Sequence, residues 1–182
     1  RRDDRTIRDF TIPSQEYSEP LVVIKSIQII RNGEAERAEV ELSLRKKRRL
    51  LVSGPNGIGK STFLRSIAEG TDEGSKLGDG VKVGYYRQDF SGLDFDQTAY
   101  ESLEQMMEMP DNEKLRAVAS EFLLTSDLLK NKVGSLSEGQ KGLLCFARFV
   151  LQAPGLLILD EPTNHINFRH LPVIAKAINN YQ

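Results

Sequence analysis

The sequence has little cysteine, no long apolar run and almost no net charge. Its single cysteine, Cys145, excludes an internal disulfide and fits a reducing compartment. Because Cys145 lies in an apolar helical stretch, we predict a core residue there rather than a nucleophile. No apolar run approaches the roughly 20 residues of a membrane-spanning helix, so we expect no integral membrane segment. The formal net charge of -1 argues against binding of nucleic acid by bulk charge.

The order of the sequence patterns predicts an α/β fold. Residues 1–20 are mixed in charge and rich in turn formers, which predicts a linker or arm outside the core. Residues 21–182 are then expected to form one domain, which opens with two antiparallel strands. Later apolar strands alternate with helices, as is typical of a mostly parallel sheet. Helical patterns over residues 91–132 predict a small helical subdomain. The sequence lacks an initiator Met, so we expect a piece of a longer protein.

A basic run, Arg45 to Arg49, separates the second predicted strand from the next apolar segment. The simpler interpretation is a solvated turn between strands. The alternative is a local contact with nucleic acid, since a short basic patch can bind phosphates. The sequence leaves both interpretations open.

The segment GPNGIGKS, Gly54 to Ser61, matches the phosphate-loop pattern. It follows an apolar run, Leu50 to Ser53, that we predict to be a strand, and it opens a helix that ends near Gly70. Glycines allow backbone N–H groups to wrap a polyphosphate, and the helix N-terminus adds positive partial charge. We expect Lys60 to reach the β- and γ-phosphates and Ser61 to offer its hydroxyl to Mg²⁺.

Two adjacent acids follow the apolar run Leu156–Leu159, which we predict to be a buried central strand. Ligands of open α/β sheets gather at the carboxyl ends of the strands, so Asp160 is expected to hold Mg²⁺ there. A magnesium ion and its waters would offset the cost of burying this carboxylate. Glu161 is expected to face the γ-phosphate, where it could orient or deprotonate an attacking water.

Ser137 and Gln140 have the spacing of a capping box, and an apolar helical pattern follows them. Ser137 and Gly139 are therefore expected at a helix N-terminus, which is a second anion-binding position. Alone, this pattern indicates only a capped helix; the phosphate loop upstream makes it informative.

Four motifs occur in order: GPNGIGKS, YYRQDF, LSEGQ and LLILDEPTNH. Together they resemble the Walker A, Q-loop, signature and Walker B motifs of an ATP-binding cassette (ABC) ATPase, a phosphate-loop NTPase. The resemblance covers about residues 21 to 182. DEPTNH and the short interval from Ser61 to Gln88 resemble the ABC-F branch, whose soluble, cytoplasmic tandem-cassette members act on ribosomes in translation or antibiotic resistance. The stretch TIRDFTIPSQ resembles the end of the linker that precedes the second cassette of such proteins.

This resemblance implies a role for each matching residue. Glu161 would be the catalytic base, and Gln88 would contact Mg²⁺ and the attacking water. Ser61, Gln88 and Asp160 would form the metal site. Ser137, Gly139 and Gln140 would contact ATP held by a facing cassette. The partners implied are a second cassette, in the same chain or as a homodimer, and the ribosome with its rRNA. The ATP phosphates would be bound by Gly54, Pro55, Asn56, Gly57, Ile58, Gly59, Lys60, Ser61 and Thr62.

The sequence departs from the family pattern at several positions. The usual adenine-stacking aromatic is missing, and Ile29, Ile30 and Arg31 stand in its region, so adenine would rest on an aliphatic or guanidinium surface. Glu138 replaces a signature glycine, and Asn167 replaces the D-loop aspartate. The switch histidine of the family is not present. Neither histidine matches it: we predict a structural role for His165 and a position on a helix surface for His170.

Two other functions compete with the ribosomal one. The first is the nucleotide-binding subunit of an ABC membrane transporter, bound to a separate permease. The second is a chromosome-maintenance or repair ATPase, which would carry a long coiled coil after Gln88. The short interval from Gln88 to Leu136 shows no sustained heptads, which argues against this second alternative.

Overall fold

The computed structural model describes residues 5–182, which form two compact units. One, here called the strand unit, comprises Gln15–Tyr85, Pro154–Asp160 and Gln182. The other, here called the helical unit, comprises the described residues up to Ser14 together with Tyr86–Ala153 and Glu161–Tyr181.

A long antiparallel hairpin opens the strand unit. Strands β1 (Val22–Arg31) and β2 (Glu34–Leu44) pair from Val22 opposite Leu44 to Arg31 opposite Glu34, with a shift of register between Ile24 and Ser26. The turn is Asn32-Gly33, and both residues have positive φ, at 52° and 81°. Asn-Gly favours this turn because the two residues tolerate the left-handed conformation. Strand β3 (Ser75–Leu77) pairs with the other edge of β1, also antiparallel, so the predicted N-terminal antiparallel strands are confirmed.

The strand unit buries a small apolar core beneath helix α1 (Lys60–Ala68). Strands β4 (Val83–Tyr86) and β5 (Leu156–Leu159) are hydrogen-bonded neighbours in a second sheet. The predicted strand at Leu156–Leu159 is therefore confirmed, but only alternate residues of it are fully buried. The core cluster consists of Val22, Ile24, Ile67, Leu156 and Ile158.

The prediction of a strand at Leu50–Ser53 is wrong in this structure. These residues have no strand geometry, and Leu51 is 88% exposed. Among residues 5–182, no other segment forms backbone hydrogen bonds with them. A strand forms only where a neighbour can pair with its N–H and C=O groups, and apolar content alone does not supply that neighbour.

Helices build the second unit. Helices α2 (Ala99–Glu104), α3 (Asn112–Glu121) and α4 (Ser126–Lys130) confirm the helical pattern predicted between residues 91 and 132. Each starts at a side-chain cap: Thr98, Asp111 and Thr125 accept from backbone N–H groups in the first turn.

The longest helix, α5 (Glu138–Gln152), carries more buried residues than any other helix of this unit, and α6 (Leu171–Asn180) follows a short 3₁₀ turn. Cys145 lies on α5 and is 6% exposed, and burial raises its pKa to about 12. At neutral pH it is therefore a protonated, apolar thiol, which confirms its prediction as a core residue.

The N-terminal arm is part of the core, contrary to the sequence prediction. Ile7 and Ile12 are only 3% and 2% exposed. The Phe10 ring packs edge-on against Phe122 and Phe146, with centroids 4.7 and 6.2 Å away. These apolar residues occur singly, mostly between polar and charged ones, so the sequence showed no periodic pattern there, although their side chains pack among the helices. The assignment of residues 1–20 to an inter-cassette linker remains a prediction.

Candidate nucleotide-binding site

The loop before α1 is shaped by glycines. Gly54, Gly57 and Gly59 have φ values of 158°, 83° and 107°, and Gly59 forms the N-cap of α1 in the left-handed region. Other residues would be strained at Gly57 and Gly59. The loop is anchored to the hairpin, because the N–H of Ile30 donates to the carbonyl of Ile58 over 3.1 Å.

The Lys60 side chain folds back over this loop. Its Nζ donates to the backbone carbonyl of Gly54 and, over 3.3 Å, to that of Pro55. Among the described residues, no backbone carbonyl accepts from the N–H groups of Gly57, Gly59, Lys60 or Ser61. An ammonium group beside several free N–H donors at a helix N-terminus forms a site with the chemistry of a polyphosphate receptor.

Two oxygen ligands in the strand unit suit a magnesium ion. Ser61 lies in the first turn of α1, and the half-buried Asp160 follows β5 directly. Within residues 5–182 there is no cluster of three or more histidine, cysteine or acidic residues that could hold a metal. Mg²⁺ is usually bound by one or two carboxylates and substrate phosphates, so a hydroxyl and one carboxylate fit it.

Two cavities lie beside the phosphate loop. One, of about 290 Å³, is lined mainly by aliphatic residues of β1, β2 and the segment Leu50–Ser53. The other, of about 250 Å³, is more polar and includes Ile30, Arg37, Thr62 and Asp72 in its walls. Of the three residues predicted near adenine, Ile29 lines the first cavity and Ile30 the second. Arg31 forms an ion pair with Glu36 instead.

In the helical unit, Gln88 is exposed in a turn just after β4. The next residue, Asp89, fixes this turn by accepting from the hydroxyl and the N–H of Ser91, over 2.6 and 3.0 Å. These hydrogen bonds to Ser91 lower the pKa of Asp89. Phe90 is 5% exposed and packs edge-on against Tyr86, so the turn is anchored on both sides of the exposed amide.

Glu161 occupies a strained turn. Its φ is 49°, in the left-handed region that a side chain with a Cβ rarely adopts. The amide of Asn164 donates to one carboxylate oxygen of Glu161 over 2.9 Å, and the N–H of Asn164 donates to the Glu161 carbonyl over 3.4 Å. Strain of this kind concentrates at functional sites.

The N-terminus of α5 has the capping box predicted from the sequence. The hydroxyl of Ser137 accepts from the N–H of Gln140 over 3.1 Å, and the Gln140 side chain accepts from the N–H of Ser137 over 2.9 Å. Because the Ser137 oxygen accepts in this pair, its own proton is free for another acceptor. Gly139 lies in the same first turn of α5 and is half-buried, whereas Ser137 is exposed.

These motif geometries agree with a family match along the chain. The family model described as "ABC transporter" matches residues 38–164, more than two thirds of the sequence. The chain belongs to the ABC family. It is thus an ABC ATPase cassette, and the predicted α/β phosphate-loop fold is confirmed by ABC cassettes among the solved structures.

Among proteins, the cassette is similar to members of the F branch and to translation factors. It is 30% identical to "ATP-binding cassette sub-family F member 2" of Bos taurus, over 98% of this chain and 30% of the relative. It is 33% identical to "Elongation factor 3" of Candida glabrata, over 78% of this chain and 13% of the relative. The chain thus spans less than a third of these relatives, and it resembles the F branch.

A solved structure gives the same result for the fold. The archaeal ribosome recycling factor aABCE1, in complex with the archaeal ribosomal stalk protein aP1, superposes with a TM-score of 0.63 at 26% identity. The match covers 93% of this chain and 34% of that one. The arrangement of elements is therefore that of an ABC cassette.

The structure distributes the cassette motifs between the two units. The strand unit carries Gly54, Pro55, Asn56, Gly57, Ile58, Gly59, Lys60, Ser61, Thr62 and Asp160. The helical unit carries Gln88, Ser137, Gly139, Gln140 and Glu161. Each unit thus contains both a helix N-terminus that can bind an anion and a carboxylate at the end of, or just after, β5. The functional roles of these residues remain proposals.

The prediction for His170 is wrong, since this residue is 6% exposed rather than on a helix surface. His165 pairs with Glu138, the residue that differs from the signature pattern of the family. The Nδ1 atom of His165 lies 2.9 Å from the Glu138 carboxylate. Sequence reasoning missed this pair and the Asn164 bond to Glu161. The sequence did offer one indication of the Glu138–His165 pair, because Glu138 places a carboxylate where the family has glycine.

Proposed function

We propose that the chain is one ATP-binding and ATP-hydrolysing cassette of a two-cassette, ABC-F-type protein that acts on the ribosome in the cytoplasm. The observation that supports it most is the loop from Gly54 to Ser61. There, unpaired backbone N–H groups and the Lys60 ammonium lie together at the N-terminus of α1. That chemistry suits the phosphates of ATP. In this proposal the adenine ring of ATP lies against Ile30, in the more polar of the two cavities.

Ser61, Gln88 and Asp160 are the proposed metal ligands. Bound Mg²⁺ neutralises charge that develops on the phosphates. The negative charge of Asp160 would balance part of the charge of the metal ion, and the Ser61 hydroxyl would supply a neutral oxygen ligand that fits the small ion. The exposed Gln88 amide is held on a firmly anchored turn, from which it can orient water.

Glu161 is the proposed general base. It accepts a proton from the attacking water, with Asn164 holding one carboxylate oxygen and leaving the other free. Ser137, Gly139 and Gln140 present a helix N-terminus and a free hydroxyl proton to the γ-phosphate of ATP on the facing cassette. Two cassettes would thus close around two nucleotides, and hydrolysis would open them.

The ribosomal role rests on the relatives. Two of them are named for translation, an elongation factor and a ribosome recycling factor. The alternative, a transporter subunit, is favoured by the description of the family model. Within residues 5–182 every helix is too short or too polar to cross a bilayer.

Co-sedimentation with ribosomes tests the proposal. In the full-length protein, Glu161→Gln should trap ATP and hold the protein on ribosomes, while Glu121→Gln, an exposed change on α3, should sediment like the parent protein. Copurification of the trapped protein with a membrane permease, and not with ribosomes, would replace this function with the transporter alternative.

A further inference from the structure

The turn after β5 is packed directly against the first turns of α5. A Cβ built on Gly139 would lie 3.5 Å from the His165 carbonyl, and one on Gly142 would lie 3.0 Å from the side chain of Ile166. The first is an ordinary contact, whereas the second leaves no spare room. The glycine at position 142 therefore lets the turn lie close against the helix.

The His165 ring is fixed by two contacts. Its Nδ1 lies 2.9 Å from an oxygen of Glu138, and its ring centroid lies 5.4 Å from that of Phe90. A carboxylate only accepts hydrogen bonds, so Nδ1 carries the proton of the imidazole. Phe90 belongs to the Q-loop turn and Glu138 to the signature helix, so His165 joins both motif segments to the turn that begins at Glu161.

The residue preceding His165 holds the carboxylate. Asn164 donates its amide to Glu161 over 2.9 Å, and Glu161 has the strained φ of 49°. A strained turn keeps its shape only if its surroundings determine it. The described contacts around this turn include the Asn164 bonds on one side and the contacts of His165 with Glu138 and Phe90 on the other.

We propose that the Glu138–His165 hydrogen bond positions the Glu161 carboxylate through Asn164, so that the signature helix sets the geometry of the proposed catalytic base in its own cassette. Glu138, His165 and Asn164 are positioning residues. This inference rests on the proposed role of Glu161. It also gives a function to Glu138, the residue that departs from the signature pattern.

A purely structural ion pair would act differently. The Glu138 side chain is 69% exposed, and exposed pairs of this kind contribute little to stability. If the pair only stabilised the fold, its loss would leave turnover per folded molecule unchanged. If it positions Glu161, its loss lowers kcat while the KM for ATP stays the same, since small misplacements of a catalytic group are costly.

The first test measures turnover in the full-length protein. Glu138→Ala should lower kcat about 10- to 100-fold without changing the KM for ATP. Glu138→Gln, which keeps an oxygen acceptor, should restore most of the rate, and Glu121→Ala is the exposed control. The double change Glu138→Ala/His165→Ala should be no slower than the slower single variant, because coupled residues are not additive. An unchanged kcat, or a rise in KM alone, would overturn the inference.

The second test needs no nucleotide. Nitrogen-15 NMR of the nucleotide-free chain, which contains two histidines, should place the proton of the neutral His165 ring on Nδ1. In Glu138→Ala the proton should shift toward Nε2, and an unchanged signal would contradict the pair. If Glu161→Gln itself left turnover intact, the proposed function would fail. If only the Glu138 variants had no effect, the positioning role alone would fail.

Discussion

The backbone N–H of Ile7 donates to Nδ1 of His170 over 3.3 Å, across 163 positions of sequence. Both residues are buried, so this bond ties the N-terminal arm to the turn that starts α6. Nδ1 can accept only when it is unprotonated. Burial, together with the charge of Arg169, lowers the pKa of His170 below its usual range.

This buried histidine makes the stability of the chain depend on pH. The His170 pKa is lower in the folded state than in the unfolded state, where histidine titrates near about 6.5. The stabilisation is therefore fully present above that pH and is lost as pH falls below it. Chemical unfolding of His170→Asn should show a smaller loss of stability between about pH 7.5 and 5.5 than the parent chain. The exposed control Lys130→Asn should keep the parental slope; the same slope in His170→Asn would be the contrary result.

Replacing the proposed base should separate binding from turnover. In the full-length protein, Glu161→Gln removes a proton acceptor and keeps its size, so ATP turnover should fall about 10²- to 10⁴-fold. ATP affinity should be retained, because the phosphate loop is unchanged. Steady-state ATPase assays and equilibrium binding measure the two quantities. A variant with near-parental turnover would remove Glu161 from the chemistry.

An aromatic residue at position 30 should tighten nucleotide binding. Ile30 is 45% exposed and lines the more polar cavity beside the loop. A ring there could stack on the base, a contact that contributes about 0.5–1.5 kcal/mol. Ile30→Tyr should therefore lower the Kd for ATP about 3- to 10-fold. Glu39→Tyr, at an exposed position of β2, is the control. Equal Kd values for Ile30→Tyr and the parent would place the base elsewhere.

Some features could be predicted because their determinants are local. The capping box at Ser137 and Gln140 and the hairpin turn at Asn32-Gly33 each depend on residues within one turn of chain. The burial of His170 depends on Ile7, far away in sequence, so no local pattern could indicate it. Strand formation at Leu50–Ser53 depends on a pairing neighbour, which an apolar run does not encode. The Glu138–His165 pair joins two motifs whose spacing in sequence does not fix their distance.

The D-loop position gives a separate prediction. Asn167 caps the 3₁₀ turn at Phe168–His170, since its side-chain oxygen accepts from the N–H of Arg169 over 3.1 Å. Aspartate can form the same cap, so Asn167→Asp should leave folding and ATP binding intact. It should strengthen communication between the two nucleotide sites of the full-length protein, because it restores the charge that the family has there. An ATPase rate and Hill coefficient identical to those of the parent would contradict this role.

The central claim is that the loop from Gly54 to Thr62 binds the phosphates of ATP, and equilibrium binding of ATP with Mg²⁺ tests it most directly. Removal of the Lys60 ammonium removes a charged hydrogen bond of about 1.5–3 kcal/mol. Calorimetry should therefore show ATP binding to the parent chain, a Kd about 10- to 100-fold higher for Lys60→Ala, and a parental Kd for Lys76→Ala, an exposed change on β3. Equal ATP affinity of the parent and Lys60→Ala would contradict the account.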